Sequence, residues 1–471
     1  MASAILKKRD FTEGAIFSRI ILFALPLIAT NLLQILYSTA DMVIVGMSSE
    51  PDAVGAIGAS SSLVHLIVNL FIGFSTGATV IVARRLGAKD NRGASDAVHT
   101  AILMSIVFGV SCSVIGVFVC RPLLRLMGAE STLLELASLY TKVYFLGVPF
   151  VSITNYAISI LRAKGDTQTP FAVLTAGGLL NVLLNTCFVF LFDMSVDGVA
   201  LATALSNAAC AVILLIRLAQ DKGPCRLNLR RLRFNRTAFG EILHVGLPAG
   251  LQSAMFSLSN IIIQSSILQV NNALCPPNSA YQPIVKGAAA ASNLENFAFA
   301  VSTALHQAAL TFTSQNAGAG RYDRVKRSFF ACSIITVLLG TVATLALFFA
   351  RNPLLALYGV KNGPVGTLDN LAYYASYQRL LIHLLPFPLY AFMDTCTGVA
   401  RGLKKSITST LMTLIGTCVL RIVWLFTVFP AKGTLASIFW SYPLSWIATT
   451  AAQLLLVLLV LSKRRKTAHT A

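Results

Sequence analysis

Charged residues are scarce in this chain. Only 12% of its 471 residues are Asp, Glu, Lys or Arg, while 56% are hydrophobic, and that balance excludes an ordinary soluble domain. Acids are the rarest, with 18 Asp and Glu against 37 Lys and Arg. The nine cysteines include no CxxC pair and no His/Cys cluster, so neither a zinc site nor a disulfide framework is supported. They read as small apolar fillers in or beside apolar runs. No loop is long enough to bury a soluble core. The apolar runs carry no nucleophile–base or metal constellation, which argues against an enzyme.

What the chain does have is a series of apolar runs of about 20 residues, each long enough to cross a bilayer. Twelve spans are predicted, near 16–45, 53–83, 96–119, 133–157, 170–192, 197–218, 241–270, 286–314, 327–349, 371–397, 407–429 and 434–461. The expected fold is an all-α polytopic membrane protein of twelve helices. The net charge of +19 raises the question of nucleic acid, but its placement answers it. Most of the 37 Lys and Arg fall at the termini, in the loops after even-numbered spans or at the span ends that border them, and few fall in the odd loops. Clusters include Lys7-Lys8-Arg9, Arg84-Arg85-Lys89-Arg92, Arg226–Arg236, Arg321–Arg327 and Lys463–Lys466. This is the positive-inside bias, and it predicts both termini in the cytoplasm. The partner it implies is the lipid bilayer, with no nucleic acid. The N-terminus runs from basic residues into a span without a small-residue cleavage site, so no cleaved signal peptide is expected.

The chain is written twice. Pro-Leu-Leu-x-Leu-x-Gly occurs at Pro122–Gly128 and again 231 residues later at Pro353–Gly359. Phe17, Ile20, Leu25 and Pro26 recur at an offset of 222 as Phe239, Ile242, Leu247 and Pro248. Gly87-Ala88 returns as Gly318-Ala319, while Pro149 and Arg162 return 239 residues on as Pro388 and Arg401. The offset grows at longer loops around Cys275–Pro283 and Val360–Asn370. Duplication in a membrane protein points to a transporter. Six spans per half give both halves one orientation, as parallel six-helix bundles about a pseudo-twofold along the membrane normal, with a substrate site expected between them. The expected divisions are 1–219, a cytoplasmic linker at 220–236, and 237–471. Pro26 and Pro248, at matching places, are expected to kink the first and seventh spans. Gly73-x-x-x-Gly77 permits close helix packing.

Polar residues inside spans carry the chemistry. Asn31, Gln34, Ser38 and Asp41 are spaced by three, four and three, which puts them on one helical face, with Tyr37 on the neighbouring stripe. Amides and hydroxyls also serve as glue between helices. Asp41 tilts the reading towards function, because a carboxylate within the membrane costs roughly 2.5–3.5 kcal/mol even on the lenient insertion scale. The duplication is an internal control: Asn31 and Ser38 map to Ser253 and Asn260, but Asp41 maps to Ile263. Asn181 and Asn185, one turn apart, map to Leu420 and Trp424. The polar set is specific to the first half. With Thr203 of the sixth span it forms the expected cation-coupling site, an acid among amide and hydroxyl oxygens suited to a proton or to sodium. Asn31, Gln34, Tyr37, Asn155, Phe256, Glu295 and Asp394 are the expected substrate-cavity residues. For Glu295 and Asp394 the alternatives are an internal pair, for instance with Arg379 or Arg421, or a position at the wet end of the helix. His65, His244, His306 and His383 read as packed or water-bonded.

These residues resemble the multidrug and toxic compound extrusion (MATE) transporters in their bacterial branch, over roughly residues 15–460. The matching stretches are Leu25-Pro26 with Tyr37-x-x-x-Asp41-x-x-x-x-Gly46, and Leu86-Gly87-Ala88. Further matches are Leu161-Arg162-Ala163-x-Gly165-Asp166-x-x-x-Pro170, Gln315-Asn316-x-Gly318-Ala319-Gly320 and Arg401-Gly402-Leu403. The resemblance implies two six-helix bundles, export by antiport with protons or sodium, and a cation-coupling role for Asp41. It also implies residence in the bacterial inner membrane. One position departs: where the family pattern reads Asn-x-x-Leu-Asp, this chain reads Asn181-Val-Leu-Leu-Asn185. One acid in place of two favours protons over sodium. The expected function is multidrug efflux of amphipathic organic cations by a monomer without cofactors, H⁺ or Na⁺ being the coupling ion. The alternative is a lipid-linked oligosaccharide flippase or metabolite exporter of the same superfamily.

Overall fold

The computed structural model describes residues 10–46, 53–126, 131–228, 230, 232–275, 282–364 and 366–469. Lys7-Lys8-Arg9, Gly128 of the first repeat motif, Arg231 of the linker and loop residues 276–281 lie outside them. Among the described residues there is no strand. The first six spans are α1 (Ile16–Gly46), α2 (Ala53–Gly87), α3 (Asn91–Leu126), α4 (Ser131–Ala163), α5 (Gln168–Phe190) and α6 (Val196–Ala219). Then come α7 (Arg236–Leu274), α8 (Pro283–Gly318), α9 (Tyr322–Phe349) and the short α10 (Arg351–Leu357). The tenth span is α11 (Leu368–Arg379), a π-helical turn (Leu380–Leu384) and α12 (Phe387–Gly402). The eleventh joins α13 (Ser406–Thr413) to α14 (Leu420–Lys432) through a second π-helical stretch (Leu414–Val419), and α15 (Leu435–His469) is the twelfth.

Ten stretches among the described residues are long and apolar enough to span a bilayer, and the bent tenth span makes an eleventh. The remaining long helix is the eighth span, α8, whose 36 residues measure about 54 Å at the helical rise. It is more polar than the rest, carrying Lys286, Glu295, His306 and Gln307. Pro26 and Pro248 lie inside continuous helices. The pronounced break falls elsewhere, a 45° bend in the tenth span at Pro386, which has no N–H to give the ladder. There Leu385 N–H reaches back five residues to the Leu380 carbonyl at 3.2 Å, the wide turn of a π-bulge.

The chain forms two compact units. One contains Ile21–Ser253 with Met1–Ala15 and Ser314–Arg321; the other contains Ile16–Ile20, Ala254–Thr313 and Tyr322–Ala471. The division passes inside α7 and α8, and the linker 220–236 lies wholly in the first unit. In the first unit α4 is central, packing against α2, α3 and α6. In the second, α12 packs against α9 and α15. Under the sequence offset these are the same partners: α4 matches α12, α3 matches α9 and α6 matches α15. The second unit's core gathers Phe387, Phe439, Tyr442 and Trp446.

The repeat is visible in the turns. Lys89 and Gly320, 231 residues apart, both take positive φ, at 57° and 72°. After them Asp90 N–H bonds the Arg85 carbonyl and Arg321 N–H bonds the Asn316 carbonyl, both at 2.9 Å. These six-to-one bonds are Schellman closures, in which a left-handed residue satisfies the last helical carbonyls. Gly359 of the repeated heptad does the same for α10: its φ is 66°, and Val360 N–H reaches the Leu355 carbonyl at 3.1 Å. That is why the motif ends in glycine. Asp90 then caps α3, accepting from Gly93 N–H at 2.8 Å. That bond and Arg85 hold its carboxyl below the usual range.

Within the first unit the ends of α2 and α8 meet without side chains between them. A Cβ on Gly87 would lie 1.9 Å from the Gln315 carbonyl oxygen, and one on Gly318 would lie 2.1 Å from that of Arg84. Arg84 and Gln315 are themselves 231 residues apart, so the two contacts exchange under the repeat, as a twofold requires. Gly73 and Gly77 likewise admit the backbone of α7, at Gly250 and Ile242. Gln315 is a junction: its Oε1 accepts from Phe11 N–H at 3.0 Å and its Nε2 donates to the Ala163 carbonyl at 2.7 Å. Gly87→Val and Gly318→Val should each lower the thermal unfolding midpoint of the purified protein, and by similar amounts. Gly240→Ala, where a Cβ meets nothing within 4 Å, should leave the midpoint unchanged or raised.

Candidate ion-coupling site

Three helices converge on Asp41. Asn185 of α5 donates from Nδ2 to Asp41 Oδ1 at 2.6 Å. The Asn181 amide, one turn earlier, lies 2.9 Å from the same oxygen when its nitrogen faces the acid. Its other end then meets Thr203 of α6 at 3.3 Å. Thr203 is held by its own helix, donating to the Val199 carbonyl at 3.0 Å. Asn185 is fully buried and Asn181 nearly so, while Asp41 is half-buried. Asn185 Oδ1 is buried and has no hydrogen-bond partner among the described residues, leaving one acceptor inside the site uncommitted. The four residues expected to form the coupling site are thus brought together.

A pair of adjacent glycines makes the convergence possible. A Cβ on Gly178 would lie 2.0 Å from the Tyr37 ring, and one on Gly177 would lie 2.2 Å from Cys210 Sγ. Gly178 therefore lets α1 approach α5, and Gly177 lets α6 approach it from the other side. The Gly177-Gly178 doublet was the available sequence signal for this, and polarity alone does not reveal it. Tyr37 settles over α5 and donates to the Thr175 carbonyl at 3.3 Å. Along α1, Gln34 and Ser38 are exposed and Asn31 and Tyr37 are half-buried. Asn155 donates to the Val151 carbonyl of its own helix at 2.9 Å, and Phe256 is half-buried in the second unit.

The second unit treats its acids differently. Glu295 is 1% exposed and lies between the Arg379 guanidinium, with Nη2 at 3.0 Å, and the His383 imidazole, with Nδ1 at 2.9 Å. The internal pair with Arg379 is therefore the arrangement found. Arg421 instead donates from Nε to Ser445 Oγ at 2.9 Å and lies over the Tyr442 ring. Asp394 faces His306, whose Nδ1 lies 3.0 Å from Oδ1, and accepts from Ser302 at 3.3 Å. His383 is packed, its ring against Phe299, Tyr442 and Trp446, and it also lies beside Glu295. His306 contacts both the carboxylate and the backbone carbonyl of Asp394, where the sequence predicts a packed or water-bonded ring. The signal was present for one: Arg379 and His383 are four residues apart and share a helix face, here across the π-helical turn.

Removing one partner from a buried pair leaves an uncompensated charge, at a cost of about 3–5 kcal/mol. Glu295→Gln should therefore sharply lower the unfolding midpoint. The double variant Glu295→Gln/Arg379→Met should recover much of the loss, measured by thermal denaturation in detergent.

A scan of protein-family models matches the chain to the MatE family over residues 26–187 and again over 282–427, once in each half. Among relatives, the probable multidrug resistance protein YpnP of Bacillus subtilis is 26% identical over 320 residues, covering 68% of this chain and 69% of its own. YoeA of the same organism, also a probable multidrug resistance protein, is 24% identical over 398 residues, 83% of this chain and 82% of its own. Among solved structures, a crystal structure of MATE in complex with MaL6 superposes with a TM-score of 0.88 at 19% identity, covering 98% of this chain and 99% of that one. With a twelve-helix fold, a double family match and an acid–amide site in its first half, this chain belongs to the MatE family of multidrug and toxic compound extrusion transporters.

Proposed function

We propose that the protein is a proton-coupled exporter of amphipathic organic cations, with Asp41 as the carboxyl that carries the proton. The observation that carries this reading is the set of neutral amides around that acid, with Asn185 Nδ2 at 2.6 Å and Asn181 within reach of the same oxygen. An ion pair must be broken to protonate an acid; an amide only has to turn over. With Asp41 ionised, the Asn181 nitrogen faces it. With Asp41 protonated, the amide oxygen accepts from the acid, and its nitrogen donates to Thr203 Oγ1 at 3.3 Å. In the first state the Thr203 hydroxyl turns from the Val199 carbonyl to the Asn181 oxygen, so both charge states are satisfied within one cage. A sodium site draws strength from more than one carboxylate, and here the second position is Asn185.

The multidrug resistance proteins among the relatives support export of varied small molecules. The charge bias supports placing both termini in the cytoplasm of a bacterial inner membrane. The two halves of the sequence, 1–219 and 237–471 joined by 220–236, act as the moving parts of alternating access, and the protein works as a monomer. Asn31, Gln34, Tyr37, Asn155, Phe256 and Asp394 are assigned to substrate. Glu295, enclosed by Arg379 and His383, is assigned to the fold of its half. Exchange of one monovalent cation for one proton is electroneutral, so the 2.3 kcal/mol per 100 mV of membrane potential cancels. About 1.4 kcal/mol per pH unit remains. Steeper accumulation requires a second proton, for which Asp394 beside His306 is the candidate.

Reconstituted vesicles test the reading. Asp41→Asn should abolish efflux of a fluorescent cation driven by a pH gradient while equilibrium binding of that cation survives. Normal pH-driven efflux in the variant overturns the assignment. Efflux driven by sodium alone in the unaltered protein overturns the choice of ion, and Asn185→Asp should move the protein towards sodium dependence.

A further inference from the structure

Away from Asp41, the first unit holds a cavity of about 620 Å³ lined by Arg92, Ser95, Asp96, His99, Gly223, Pro224, Arg226, Asn228 and Arg233. One wall is the first two turns of α3, and the other is the linker 220–236. The charge bias assigns this side to the cytoplasm. We propose that this cavity binds a phosphate-bearing anion, and that through it the linker senses either the headgroup of an anionic lipid or a soluble phosphate compound.

The walls are built. His99 is buried and both its ring nitrogens are used. Nδ1 lies 2.7 Å from the Ser95 carbonyl, an acceptor, so it carries the hydrogen, and Nε2 accepts from Asn228 N–H at 3.1 Å. Asn235 N–H bonds Thr100 Oγ1 at 3.1 Å, and its amide donates to Asp96 at 3.2 Å while its Oδ1 caps α7 at Ala238 N–H. Upstream, Leu227 N–H reaches the Leu218 carbonyl at 3.0 Å, and Lys164 pairs with Asp221 at 3.1 Å. The linker is therefore fixed to α3, and the cavity is a formed feature of the fold.

Its charges are uncommitted. Arg92, Arg226 and Arg233 are all exposed, and none has an acidic partner among the described residues. Asp96, the one acid on the wall, already accepts from Asn235. Three guanidinium groups on one concavity offer the forked donors that phosphate oxygens accept. A topology signal alone needs positive charge on one side of the membrane, not three arginines around a common space. Beside the cavity Phe234 is 51% exposed and packs against Phe239 in a tilted pair with centroids 5.1 Å apart. An exposed apolar ring next to arginines suits insertion at the headgroup boundary of an anionic membrane, which favours the headgroup as the source.

The experiment uses the full-length protein in two forms. In Arg92→Gln/Arg226→Gln/Arg233→Gln the cavity loses its charge. In Lys326→Gln/Arg327→Gln/Lys405→Gln the same charge is lost from other exposed positions. Retention of dioleoylphosphatidylglycerol against dioleoylphosphatidylcholine is read by native mass spectrometry, and binding of inorganic pyrophosphate by thermal shift. The proposal expects the phosphatidylglycerol preference to fall roughly tenfold or more in the cavity variant and to stay in the control. A cavity-dependent pyrophosphate shift without lipid preference supports the site with a soluble ligand. If both triple variants lose the preference equally, or neither ligand distinguishes the cavity variant from the unaltered protein, the proposal is overturned. The control triple also removes the objection that lost charge merely destabilises the fold.

Discussion

An acid inside a membrane must be compensated, and the way Asp41 is compensated organises the first half of this protein. Its carboxyl is on α1, its amide donors are on α5, and the hydroxyl behind them is on α6. Those three helices approach closely only because consecutive glycines, Gly177 and Gly178, remove side chains from two sides of α5. Packing and chemistry are therefore the same arrangement seen twice: the small residues set the helix spacing, and the spacing sets a 2.6 Å hydrogen bond.

The contrast between the halves gives the site its meaning. The scaffold is shared down to individual turns: Lys89 and Gly320 take the same left-handed conformation, and Gly87 and Gly318 make reciprocal contacts. The chemistry is not shared. Glu295 sits against a guanidinium and an imidazole, and Asp394 against an imidazole. Asp41 has neutral amides around it. Of these three acids it is the one with neither a guanidinium nor an imidazole against it, which makes it the first choice for the ion-driven step.

Much of this was legible in the sequence because duplication supplies its own comparison. Twelve spans, the repeat and the restriction of Asp41, Asn181 and Asn185 to one half all follow from reading the two copies side by side. What periodicity cannot give is distance between helices. Asp41 and Asn185 are 144 residues apart in the chain, and their contact depends on Gly177-Gly178, which carries no polarity signal. The pairing of Glu295 with Arg379 was one of several open alternatives, and only packing decides it. The break of the tenth span at Pro386 was missed for a different reason. Pro26 and Pro248 stand out by their symmetry and lie inside continuous helices, whereas Pro386 has no counterpart that marks it.

The central claim is that Asp41 itself gains and loses the proton inside its amide cage. Substrate-induced infrared difference spectroscopy on protein labelled with carbon-13 at the aspartate side-chain carboxyl reads that directly. The account predicts that substrate binding removes a label-shifted protonated-carboxyl band in the unaltered protein, and that Asp41→Asn lacks this change. A labelled carboxyl signal that does not respond to substrate, or that responds equally in Asp41→Asn, would contradict it.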